Sequence, residues 1–156
     1  LPPALQPFGA VPPLVSDIDL SVDDRWLYVS CWGTGELKQY DVSDPHNPKE
    51  TGSVRLGGVV DRAPHPANPE MRLAGGPQMV EISRDGRRIY FTNSLYTPWD
   101  RQFYPDGIKG WMAKVDVGPG GGMALDPAFL LETDGMRPHQ VRLEGGDASS
   151  DSFCYA

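Results

Sequence analysis

Cysteine, histidine and excess positive charge are all scarce in this chain. There are two cysteines, Cys31 and Cys154, and three histidines, His46, His65 and His139. Two cysteines cannot build a disulfide framework or a tetrahedral zinc site, and the expectation is two half-buried free thiols. Acidic residues outnumber basic ones, 21 to 14, for a formal charge of −7. No basic stripe is present to neutralise phosphates, which argues against a nucleic-acid partner. No apolar run reaches membrane-spanning length. No window sustains a 3.6-residue apolar period, so long amphipathic helices are not expected. No signal peptide is visible and the first residue is Leu1. The expectation is a chain with further protein upstream, soluble, and periplasmic in preference to cytoplasmic.

What is abundant is turn chemistry. The 156 residues include 18 glycines and 16 prolines. That mix, with 39% hydrophobic content, suits short strands joined by tight turns. A repeat runs through them. "DIDLSVDDRWLYVS" (17–30) matches "MVEISRDGRRIYFT" (79–92), pairing Leu20 with Ile82, Ser21 with Ser83, Asp23 with Asp85, Arg25 with Arg87, Leu27 with Ile89 and Tyr28 with Tyr90. Each copy alternates, turns at Asp-Asp or Asp-Gly, and alternates again, the pattern of a hairpin. A third strand follows in each ("ELKQYDV" and "WMAKVDV"), then a fourth ("ETGSVRL" and "AFLLET"). Repeated units of four antiparallel strands predict an all-β chain and a β-propeller fragment. A β-sandwich would give short strands without the self-similarity. Complete blades are expected at 14–60 and 76–135. "PHQVRLEGGD" aligns with "PQMVEISRDG", which predicts a first strand of an incomplete blade over 138–156. An incomplete ring leaves open strand edges, so missing N-terminal blades of the same protein are the expected partner.

The first strand of a blade runs beside the central channel. At its start stand Ser16, Gln78 and His139 in the three units, with Asp17 beside Ser16. These are the channel-mouth candidates: His139 as a metal ligand, the others as groups that orient a ligand or water. His46 and His65 lie in proline-rich stretches and are expected to be exposed loop residues. The insertion "YTPWDRQFYPDG" (96–107) is expected to pack its aromatics on the neighbouring blade, the alternative being a cover for the channel mouth. "GPGGG" (118–122) lacks a following Lys-Ser or Lys-Thr and reads as a turn, not a phosphate cradle.

"SDIDLSVDDRWLYVSCW", "LKQYDVSDP", "RLAGGPQMVEISRDGRRIYFTNSLYTPWDRQFYPD" and "HQVRLEGGDASSD" together resemble the selenium-binding protein family, whose members include methanethiol oxidases. The resemblance covers nearly the whole chain and the C-terminal third of the family. It implies a seven-bladed propeller and a copper-dependent oxidation of methanethiol by oxygen, yielding formaldehyde, hydrogen sulfide and hydrogen peroxide. It also implies histidine ligands facing the channel, of which His139 alone maps here. Gln140 stands where the family carries an acid, and Ala148 where its tail commonly has cysteine. The second reading is a non-catalytic propeller that binds selenium, metal or protein partners.

Overall fold

The computed structural model describes residues 1–93 and 95–146. Alternation and turn residues produce two four-stranded antiparallel sheets in chain order. The first contains β1 (Val15–Leu20), β2 (Trp26–Cys31), β3 (Glu36–Asp41) and β4 (Lys49–Arg55), side by side. A small hairpin follows, β5 (Pro64–His65) with β6 (Asn68–Arg72). The second sheet contains β7 (Val80–Ile82), β8 (Arg88–Thr92), β9 (Gly110–Val117) and β10 (Met123–Thr133), again in sequence order. Helix among the described residues is one short α-helix, α1 (Thr97–Phe103), and two 3-10 turns at Pro3–Phe8 and Glu144–Gly146. None is long and apolar enough to cross a membrane.

The two β1–β2 and β7–β8 turns are copies down to the hydrogen bond. Ser21 Oγ donates to Asp23 Oδ1 at 2.6 Å, and Ser83 Oγ to Asp85 Oδ1 at 2.6 Å. Each serine Oγ then accepts from the amide five residues on, Trp26 at 2.9 Å and Arg88 at 3.0 Å. The fourth turn residue is left-handed in both, Asp24 at φ 56° and Gly86 at φ 67°. The β10 ladder breaks between Leu125 and Leu130, around Pro127, which has no N–H to donate.

The sheets pack face to face. Trp26, Tyr28 and Leu37 of the first meet Val80, Ile82, Ile89, Phe91, Trp111, Ala113 and Val115 of the second in one buried cluster. The buried Gln39 beside it is paired at both ends of its amide. Gln39 accepts at Oε1 from Thr51 Oγ1 (2.9 Å) and from the Gly122 amide (2.7 Å), and donates from Nε2 to the Tyr28 hydroxyl (3.0 Å). A second cluster forms where the 96–107 insertion folds back. Trp32 is edge-on to Phe103 and Tyr104, with ring centroids 5.4 and 6.0 Å apart. The insertion therefore packs onto the first unit, as the sequence suggests.

Two expectations fail. Residues 138–143 form no strand. A first strand needs a second to bond with, and no described strand lies beside it; the rest of the expected 138–156 unit lies outside the described residues. His65 is fully buried rather than exposed, because the β5–β6 hairpin turns it inward. His46 is exposed as expected.

Candidate functional site

Three of the four channel-mouth candidates come together where the inner strands of the two sheets meet. Ser16 Oγ donates to the Pro77 carbonyl at 3.1 Å, and Asp17 Oδ2 accepts from the Val80 amide at 2.8 Å. A register shift between Val15 and Asp17 turns these side chains toward the second sheet. Gln78 is buried, its amide bonded to the Thr92 carbonyl at 2.6 Å. Its side-chain Oε1 has no hydrogen-bond partner, nor have the buried hydroxyls of Ser30 and Thr92. These buried groups of the two sheets therefore keep unspent polar capacity, which buried groups rarely do without a purpose. Ser16 and Asp17 also work structurally, since each ties one sheet to the other.

His139 stands apart from them on an irregular, exposed stretch. That stretch is anchored at several points. Asp100 of α1 is buried, and its carboxylate pairs with the Arg137 guanidinium. Lys109 reaches Asp134 and Glu132, each at 3.5 Å. Thr133 Oγ1 donates to the Met136 carbonyl at 3.0 Å. Val141 is buried against Tyr90, with Met112 and Phe129 around it. This is the face of the second sheet turned away from the first.

Cys31 is a free, buried thiol, deeper than expected. Burial, aided by the Glu36 charge, pushes its pKa up, so it stays protonated and is a poor nucleophile or ligand. Cys154 lies outside the described residues. His65 Nδ1 accepts from the Ala67 amide at 3.0 Å, while Nε2 finds no hydrogen-bond partner. Burial holds its pKa below the ordinary imidazole value, against the opposing pull of the Asp126 carbonyl and charge. Among the described residues no three His, Cys, Asp or Glu side chains converge as a metal ion needs. His139 offers one exposed imidazole nitrogen, a single donor and not a complete metal site.

Sequence reasoning missed the Asp100–Arg137 pair and the burial of His65. Asp100 carried a signal: a lone acid between Trp99 and Phe103 has to find a countercharge when those rings pack inward.

Comparisons agree with this architecture. The crystal structure of a hypothetical selenium-binding protein from Sulfolobus tokodaii superposes on the whole chain with a TM-score of 0.90 and 60% identity, the chain covering 34% of it. Methanethiol oxidase from Homo sapiens is 45% identical over 90% of the chain, and that from Xenopus tropicalis 43% identical over the same share. The chain spans about a third (35%) of the length of these two relatives. Residues 2–154 match the 56 kDa selenium binding protein family, SBP56, and the chain belongs to that family.

Proposed function

We propose that this chain is the C-terminal part of a seven-bladed β-propeller enzyme that oxidises methanethiol. The observation that carries the reading is the 45% identity, across 90% of the chain, to a protein named methanethiol oxidase. The overall reaction consumes one methanethiol, one oxygen and one water, and releases formaldehyde, hydrogen sulfide and hydrogen peroxide. The methyl carbon loses two electrons and its bond to sulfur, while oxygen gains the two electrons and two protons. Copper, when bound, supplies a soft centre for the thiolate sulfur and a route for electrons to oxygen.

In this reading the two sheets are two blades, and the others belong to the rest of the protein. His139 donates one imidazole nitrogen to the metal, and its remaining ligands come from the other blades. Gln78 and Asp17 line the channel mouth with polar groups, Gln78 through its free Oε1. Cys31, protonated and buried, takes no part.

The second reading is a propeller without catalysis that binds selenium or a protein partner. It draws support from a mouse relative, 43% identical over 90% of the chain, named selenium-binding protein 2. Metal analysis of the complete protein, followed by methanethiol addition, separates the two. Stoichiometric copper with release of peroxide and hydrogen sulfide supports the oxidase. A copper-loaded protein that releases neither product sinks it.

A further inference from the structure

We infer that α1 and the start of β9 form a clamp that fixes the bearing of His139, with the Asp100–Arg137 ion pair as its positioning element. His139 lies on an irregular stretch outside the described strands. Irregular chain has more conformations to lose than a strand, and an imidazole on it reaches a metal only at an entropic cost. Three contacts remove that freedom.

The first is the ion pair. Asp100 is 1% exposed, and Arg137 is its only described charge partner. A buried carboxylate without its countercharge is strongly unfavourable, so Asp100 holds Arg137, two residues before His139, firmly in place. The second is Gly110, the first residue of β9. A Cβ there would lie 2.5 Å from Pro138 Cδ and 2.6 Å from the Met136 carbonyl oxygen. Backbone and ring therefore touch directly, immediately before His139. The third is Val141, buried two residues after it. His139 and Gln140 are the exposed residues between these fixed points. The geometry gives the aromatic insertion a second task besides packing on Trp32: its one buried acid points the other way, toward the histidine stretch.

This inference rests on His139 as a metal ligand for its consequence, but the clamp itself can be measured without metal. The test uses the complete protein and three variants, Asp100→Asn, Arg137→Lys and Gly110→Ala. Asp100→Asn keeps shape and removes the charge, leaving a guanidinium whose side chain is one-third exposed (33%) to solvent. Amide exchange across 134–142 is expected to quicken about tenfold, with β8 and β9 unchanged. Copper(II) affinity is expected to fall about tenfold or more, with an altered copper EPR spectrum, because supporting contacts tune a ligand's bearing. Arg137→Lys keeps the charge and is expected to retain most of the protection. Gly110→Ala reports the same loss by a separate route, should the asparagine variant fold poorly. Unchanged exchange and unchanged copper affinity in both Asp100→Asn and Gly110→Ala overturn the clamp. If His139→Ala keeps its copper, the ligand reading falls instead, and amide exchange alone then decides the clamp.

Discussion

At the scale of single residues, the two matched turns form a built-in comparison. Asp24 and Gly86 occupy the same left-handed position, and an added Cβ at Gly86 meets nothing within 4 Å. Only backbone conformation separates them. Gly86→Ala should therefore destabilise the protein by about 1 kcal/mol, and Asp24→Gly should be neutral or slightly stabilising. Urea titration of both variants checks this. The neighbouring carboxylates add a pH dependence. The Ser21 hydroxyl holds Asp23 below its ordinary pKa, and the Ser83 hydroxyl does the same for Asp85. Their contribution is complete above the unfolded carboxylate value and is lost as pH falls through the depressed folded one. Asp85→Asn should remove its share of the stability lost as pH falls below about 4. For the candidate ligand, His139→Ala should lower copper content and thiol oxidation together, while His46→Ala, at an exposed loop, should change neither. Retention of full copper in the His139 variant would show that this imidazole is not a ligand.

At the scale of elements, the β5–β6 hairpin is the part most open to titration. His65 is neutral when buried, and its folded pKa lies below the unfolded value of about 6.5. The unfolded state takes up the proton first, so stability is complete above that value and declines as pH falls below it. His65→Asn keeps an acceptor for the Ala67 amide and has no charge to gain. The wild-type melting temperature should drop between pH 7 and 5, and the variant should lose that step; parallel curves would mean that His65 accepts the proton without strain. The same hairpin shows where the sequence stopped being legible. Ser-x-Asp turns, alternation and the repeated sequence marked the strands of the two sheets, because their apolar faces meet each other and period 2 records that burial. "APHPANP" has no period, so nothing in it revealed that Asp126 of the distant β10 would help enclose His65. The stretch 138–143 failed for the opposite reason. Its alternation is present, but a strand is a property of a pair, and what the described residues show around Val141 is side-chain packing on Tyr90, Met112 and Phe129. Of the candidate site, Ser16, Asp17 and Gln78 were found by register. Asp100 and Arg137 were not, since 37 residues separate them in the chain and only the folding back of the insertion unites them.

At the scale of the whole molecule, the outer face of the first sheet is conspicuous. Ile18 is 59% exposed and Leu20 44% exposed, opposite Val29 and Leu27 on β2. An apolar sheet face of this kind associates with whatever apolar surface it meets. The 156-residue chain alone should self-associate, and Ile18→Lys with Leu20→Lys should weaken that by about tenfold or more, since burying each such side chain is worth about 1.5–3 kcal/mol. Sedimentation across a concentration series reads the result directly; a monodisperse wild-type monomer would refute it. Gln39 carries a different consequence. It binds β2, β4 and the β9–β10 turn with one amide, yet the matching position in the second unit is Lys114, which pairs with Asp116 and Asp126 instead. The two copies have specialised. They are not interchangeable: a shuffled gene that placed the second copy ahead of the first would present a lysine where the joint uses an amide.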